Sequence, residues 1–82
     1  MPTVLRAQGC RVVIYPSDHR PAHVHVIGAD GEAVFVLNCP AGPLSLREVE
    51  GLTIQQVRKL ARVLDPEIRA LCAAWREIHG NH

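Results

Sequence analysis

The strongest constraint on the fold is one apolar stripe at helical spacing in the last third of the chain. Its members recur at intervals of three and four residues, and no glycine lies between Thr53 and His79. They are Val57, Ala61, Leu64, Ile68, Leu71, Trp75 and Ile78. Thr53 is a favourable N-cap, so the pattern predicts a helix that begins just after it. Because such a stripe is stable only when buried, this helix must cover another element.

Pro66 lies inside the stripe. Proline removes one helical hydrogen bond and disfavours α geometry at the preceding residue, here Asp65, although Asp-Pro also makes a good start for a new helix. The apolar spacing continues across Pro66 without a change of phase. We therefore predict a kinked helix or two nearly collinear helices over residues 53–79.

The first half of the chain contains short apolar and β-branched runs separated by turn residues, a pattern typical of antiparallel strands. Two hairpins are predicted, one turning at Gln8-Gly9 and the other at residues 28–31. The predicted strands are Val4–Ala7, Cys10–Tyr15, His23–Ile27 and Glu32–Leu37. Residues 44–49 alternate enough for a fifth strand or a single helical turn, and we favour the strand.

Together these patterns predict a single small α+β domain over residues 1–82. An antiparallel sheet of four or five strands within residues 3–49 is covered on one face by the helix of residues 53–79. Strand alternation and the helical stripe also predict the core. It comprises Val12, Ile14, Val24, Val26, Phe35, Leu37, Val57, Leu60, Leu64, Ile68, Leu71 and Trp75.

Charge and length limit the classes of partner. Nine basic and eight acidic side chains leave a formal net charge of +1, which excludes binding of nucleic acid or membrane by bulk electrostatics. A domain of 82 residues also has a thin core, so a homodimer or a protein partner is a plausible source of further burial.

Cysteine usage and hydropathy bear on the compartment. Cys10, Cys39 and Cys72 stand far apart, with no close pair of the kind that binds zinc or exchanges disulfides. The opening residues lack a secretory leader pattern, and no run reaches the roughly 18 apolar residues of a membrane span. We therefore expect a cytoplasmic protein in a reducing compartment, without membrane association.

Three imidazoles and a carboxylate fall within residues 18–25. On a strand, alternation sends His23 and His25 to one face and the intervening valine to the other. A tight turn at residues 28–31 places His25 opposite Val34, which makes Glu32 a diagonal neighbour of His25 on the same face.

Two or three imidazoles with one carboxylate resemble the ligand sets of catalytic zinc and non-haem iron sites. We predict a surface site for a divalent transition metal such as zinc, iron, nickel or manganese. Its candidate ligands are His19, His23, His25, Glu32 and Asp18. Two alternatives stay open: a metal-free role in acid–base chemistry or anion binding, and a purely structural role for the histidines.

Several short motifs together resemble a known family. They are Met1-Pro2-Thr3-Val4, Tyr15 before a turn, the segment Asp18-His19-x-Pro21-x-His23-Val24-His25, Gly31-Glu32-Ala33, and Leu71 to Trp75. Over essentially its whole length the chain resembles the small bacterial family known as domain of unknown function 4160. Ala22 departs from the pattern, since the family commonly has a second proline there.

The resemblance implies a compact sheet-plus-helix domain, often encoded beside another short protein in an arrangement that looks like a toxin–antitoxin or regulatory pair. It implies no established reaction. By position, the motif residues of the family fall on Asp18, His19, Pro21, His23, His25 and Glu32, with Trp75 as a packing anchor. We therefore expect a component of such a pair with a histidine-cluster site, or alternatively a small metal-dependent enzyme.

A second candidate surface lies beside the apolar stripe. Four arginines fall within roughly 40° of one another on a helix that advances about 100° per residue. This arginine ridge comprises Arg58, Arg62, Arg69 and Arg76. Guanidinium groups suit phosphate, so the ridge predicts local binding of nucleic acid by a regulator, or docking of an acidic protein partner. Asp65 lies on the same line, and a solvated helix face is the alternative.

Overall fold

The computed structural model describes residues 3–80, so Met1 and Pro2 of the family-like opening lie outside the described residues. Five strands precede two helices. The strands are β1 (Thr3–Ala7), β2 (Cys10–Val13), β3 (His23–Ile27), β4 (Glu32–Val36) and β5 (Ser45–Glu50), and the helices are α1 (Ile54–Leu64) and α2 (Ile68–His79). The strands form one antiparallel sheet in sequence order. The predicted α+β class is confirmed, and so is the fifth strand.

Local turn geometry sets the register of the hairpins. Gln8 and Gly9 both have positive φ, 53° and 74°, which is the backbone that two-residue hairpin turns favour. In the second hairpin Gly28 N–H donates to the Gly31 carbonyl at 2.9 Å. As predicted, His25 then pairs with Val34, and Ile27 pairs with Glu32.

The hydrophobic core lies between the sheet and the two helices. Every residue of the predicted core is buried. The structure adds Ala33 and Cys72 to this layer. Val13 and Val34 are also buried, but they lie in the same row of the sheet as His25, on the face away from the helices. We call that face the open face.

The helical segment begins with a capping box and continues past its proline. The Thr53 hydroxyl accepts from Gln56 N–H at 3.1 Å, and Thr53 N–H donates to Gln56 Oε1 at 2.8 Å. A single 3₁₀ turn, Asp65–Glu67, separates α1 from α2. Asp65 N–H still donates to the Ala61 carbonyl, so the apolar stripe keeps its phase across Pro66. The restart of the helix without a wide turn is confirmed.

Two of the three cysteines form a pair that the sequence analysis did not predict. Cys39, in the loop after β4, forms a disulfide with Cys72 of α2 across a sequence separation of 33 residues. Folding brings together two positions whose spacing in the sequence gives no sign of a pair. The predicted reducing compartment loses its support, because that prediction depended on the absence of a cysteine pair. Cys10 is a free thiol.

Within residues 3–80, neither helix combines the length and the apolar character needed to cross a membrane.

β5 forms one edge of the sheet, and all six of its residues are exposed. Its pairing with β4 contains an irregularity. Val34 pairs with Glu48 and Phe35 pairs with Leu46, so Arg47 is an extra residue with no partner of its own on β4. Such a β-bulge changes which residues of a strand share a face.

Candidate metal centre

The candidate site lies where β3 meets the loop between β2 and β3. Alternation along β3 turns Val24 and Val26 into the core, where both are fully buried, and leaves His23 and His25 on the open face. His23 lies at the end of the sheet, where its ring also contacts Trp75 of α2 at 5.3 Å between centroids. The predicted register of this strand is confirmed.

A turn in the β2–β3 loop fixes the carboxylate of Asp18. Asp18 N–H donates to the Tyr15 carbonyl at 3.0 Å, and Tyr15 N–H donates back to Asp18 Oδ2 at 3.2 Å. That oxygen lies 3.4 Å from His23 Nε2 and 3.2 Å from His25 Nε2. One ligand atom from each of the three residues lies within 4.8 Å of the others.

The outer nitrogen of each imidazole faces a group that only accepts hydrogen bonds. His23 Nδ1 is 2.8 Å from the Pro21 carbonyl oxygen, and His25 Nδ1 is 3.4 Å from Glu32 Oε2. These contacts favour the tautomer with the proton on Nδ1 in both rings, because a carbonyl and an ionised carboxylate have no proton to give. In the neutral form, both histidines then carry a lone pair on Nε2.

Three electron-rich groups therefore converge: two imidazole lone pairs and one carboxylate oxygen. His25 Nε2 is buried and has no hydrogen-bond partner among the described residues, so its 3.2 Å approach to Asp18 Oδ2 is proximity without a formed hydrogen bond. A proton on one of the Nε2 atoms or a metal ion between the three groups stabilises such an arrangement. Carbonyl and carboxylate acceptors on the far nitrogen are the usual outer partners of metal-binding histidines.

Aromatic contacts hold the two rings in place. The Tyr15 ring meets His25 edge-on, with centroids 4.7 Å apart, and the His23 and His25 rings lie 5.2 Å apart. The pocket in front of them, which we call the histidine pocket, opens on the open face. Its lining comprises Ser17, Asp18, His19, Arg20, His23, His25, Glu32, Val34, Arg47 and Glu48.

The structure divides the five predicted ligands into three groups. Asp18, His23 and His25 cluster. Glu32 contacts the outer nitrogen of His25, which gives it an orienting position beside the cluster. His19 is exposed and lines the histidine pocket without joining the cluster.

Sequence reasoning missed other parts of the site. Tyr15 and Pro21 matched family motifs, but neither the aromatic contact of Tyr15 nor the acceptor role of the Pro21 carbonyl was predicted. Arg47 and Glu48 reach the histidine pocket from β5, two strands away from β3. The alternation of residues 44–49 gave no sign of this, because a bulge is set by pairing with β4 and not by the residues of β5 alone.

The arginine ridge is solvent-exposed. Arg58 and Arg62 lie on α1, and Arg69 and Arg76 lie on α2, with all four side chains exposed. Among residues 3–80, the ion pairs within 4.0 Å all involve His23 or His25, and none involves a ridge arginine. The four guanidinium groups are thus accessible to a ligand or to solvent.

One comparison with known proteins gives a match. A family model described as Domain of unknown function (DUF4160) matches residues 9–76 of the 82-residue chain, a span that contains the whole Asp18, His23 and His25 cluster. No curated protein matches the chain, and neither does any solved structure.

Proposed function

This chain belongs to the family described as Domain of unknown function (DUF4160), and we propose that it binds a divalent transition metal through Asp18, His23 and His25. One observation carries the proposal: the two Nε2 lone pairs and the Asp18 oxygen converge within 4.8 Å while both Nδ1 atoms are occupied by acceptors. A metal ion between these groups turns three mutually unfavourable acceptors into three ligands.

The ligand types select a class of metal. Imidazole nitrogens suit zinc, nickel and iron(II), a carboxylate oxygen also suits manganese, and magnesium and calcium prefer all-oxygen sites. Two nitrogens and one oxygen leave coordination positions free, as in catalytic centres, so a small metal-dependent enzyme is the natural extension of the proposal. The cluster lines the histidine pocket, whose charged lining comprises Arg20 and Arg47 as well as Glu32 and Glu48.

The proposal is tested by metal analysis together with thermal melts of the full chain in zinc, nickel, manganese and iron(II). We expect one metal per chain and a rise in melting temperature that saturates with metal concentration, because a ligand that binds only the folded state stabilises it. His23→Ala with His25→Ala should abolish the rise. His19→Ala is the matched control, since His19 is an exposed histidine of the same pocket outside the cluster.

Asp18→Asn provides a second test in case the double-histidine variant misfolds. This substitution keeps the size of the side chain and an acceptor oxygen for Tyr15 N–H, and it removes the negative charge. We expect this variant to fold and to bind metal more weakly than the wild type. The proposal fails if no metal raises the melting temperature of the wild type, or if metals raise that of the double-histidine variant equally. In that case a proton is the cation of the cluster, and the histidines are structural.

The cellular role rests on the family resemblance. We propose a component of a toxin–antitoxin-like or regulatory pair that has a protein partner and resides in the cytoplasm of a bacterium. The Cys39–Cys72 disulfide bears on this location, because disulfides persist mainly in oxidising compartments. Thiol trapping in intact cells tests it: a reduced pair supports the cytoplasm, and an oxidised pair favours an oxidising compartment.

A second candidate function is local binding of nucleic acid. The observation that favours it is the exposure of the arginine ridge without carboxylate partners among the described residues. Binding should weaken as salt rises, and Arg58→Ala with Arg62→Ala should reduce it for all sequences alike. Absence of binding at low salt would remove this candidate.

A further inference from the structure

The exposed edge strand β5 carries an apolar surface that the fold leaves uncovered. Leu46 and Val49 are 47% and 45% exposed, although their partners on β4, Phe35 and Ala33, belong to the core. An edge strand also presents unpaired backbone N–H and C=O groups, which are a template for another strand. Ala33 and Phe35 of β4 are buried in the core, whereas Leu46 and Val49 beside them on β5 stay about half exposed.

The bulge at Arg47 changes which face of the sheet each residue of β5 lies on. Leu46 and Val49 share the helix-covered face with their core partners. The other four residues belong to the open face: Ser45, Glu48 and Glu50 pair with open-face residues of β4, and Arg47 lines the histidine pocket beside Glu48. From Ser45 to Glu50 the faces run open, covered, open, open, covered, open. This order is the same in both directions.

A strand with this order can pair with a reversed copy of itself. Facing residues of an antiparallel pair point to the same side of the sheet. Under regular alternation, Ser45 and Glu50 would lie on opposite faces, and a reversed copy would be out of phase. With the bulge, the reversed copy is in phase over all six residues.

The residues that then face one another are complementary. Leu46 faces Val49 of the second copy, and Arg47 faces its Glu48, and two-fold symmetry repeats each contact. Apolar pairs and pairs of opposite charge both stabilise adjacent strands. A shift of one residue in either direction places Glu48 against Glu48, or Arg47 against Arg47, on the two-fold axis, and like charges directly opposite are destabilising.

We propose that β5 is the interface of a homodimer in which two five-stranded sheets join into one continuous sheet through antiparallel β5 strands. The strand that pairs with β5 is β5 of a second copy of this chain. We identify it because Arg47 of each copy faces Glu48 of the other, and the two side chains carry opposite charges. Because these two residues also line the histidine pocket, the second copy lies at the mouth of that pocket. The dimer does not depend on metal binding at the cluster.

The test measures the mass of the full chain by sedimentation over about a hundredfold range of concentration, since association is set by protomer concentration. We expect a concentration-dependent dimer for the wild type. Arg47→Glu should raise the dimer dissociation constant about tenfold or more, because two like-charged pairs replace two opposite ones. Glu48→Arg alone should do the same, and Leu46→Lys should give a monomer.

The double variant Arg47→Glu with Glu48→Arg distinguishes this register from a general loss of charge, because the swap restores both opposite pairs and should restore the dimer. Arg62→Glu, a charge reversal on exposed α1, is the matched control and should dimerise like the wild type. Circular dichroism checks that each variant folds. The proposal is overturned if the wild type is a monomer throughout, if Arg47→Glu dimerises like the wild type, or if the double swap fails to restore the dimer.

Discussion

The two faces of the sheet are built from alternate residues of the same strands, yet different elements bury them. On the helix-covered face, Val24 and Val26 lie under two helices in an apolar layer shared by many side chains. On the open face, the loop between β2 and β3 covers His25 through Tyr15 and Asp18, and His23 lies between Asp18 and Trp75 of α2. The helix-covered face is stabilised by many small apolar contacts. The open face depends on a few polar contacts around the Asp18 carboxylate.

The largest expected effect comes from breaking the helix-covered face. Phe35 is 1% exposed at the centre of the core, so Phe35→Ala should lower the free energy of unfolding by about 3–5 kcal/mol, measured by urea titration. Ile54→Ala is the control, since Ile54 is 68% exposed and its loss should cost less than about 0.5 kcal/mol. A loss below about 1 kcal/mol for Phe35→Ala would contradict the core described above.

The disulfide supports the same face from outside the sheet. Replacement of Cys39 and Cys72 together by alanine should lower the free energy of unfolding by about 2–4 kcal/mol, because the bridge closes a long loop in the unfolded chain. Unfolding of the wild type with and without a thiol reductant gives an independent measurement. Cys10→Ala should behave like the wild type in both conditions, since Cys10 is a free thiol. Equal stability with and without reductant would show that the bridge contributes nothing.

A smaller effect is expected on the open face, where a substitution should change metal affinity without changing the free energy of unfolding. Glu32→Gln should weaken metal binding about tenfold, because Glu32 orients His25 without belonging to the cluster. We expect the low end of the range for orienting residues, since the Glu32 side chain is 45% exposed. Titration calorimetry measures the affinity, and urea unfolding without metal should agree with the wild type within about 0.5 kcal/mol. An unchanged affinity would remove Glu32 from the site.

The smallest expected effect concerns acidity. Protons compete with metal for the Nε2 atoms of His23 and His25, so metal affinity should fall as the solution is acidified, and binding should release protons. Calorimetry in buffers of different ionisation enthalpy counts the released protons. Metal binding with no proton release at any acidity would argue against imidazole ligands.

The parts predicted from sequence are those governed by short-range rules. The turn at residues 28–31 fixed the pairing of His25 with Val34, and through it the position of Glu32. The helical stripe likewise predicted the burial of Val57, Leu64, Ile68, Leu71 and Trp75, although it did not include the buried Cys72. In each case the periodicity of a single element determined which side chains face inward.

The parts missed depend on contacts between distant segments. The path of the β2–β3 loop decides that Asp18 joins the cluster while His19 stays outside it, and in this loop Tyr15 contacts the His25 ring on β3. The Cys39–Cys72 pair requires the loop after β4 to meet α2. The spacing of these residues along the chain does not indicate either contact.

The order of the elements along the chain has a consequence for synthesis. Each strand pairs with its neighbour in sequence, so a ribosome that delivers the amino terminus first releases a sheet whose hairpins can close locally. The two helices follow the sheet along the chain, and until they are synthesised one apolar side of the sheet has no cover. During folding, the side of the sheet that carries Val24 and Phe35 is therefore exposed until α1 and α2 pack on it.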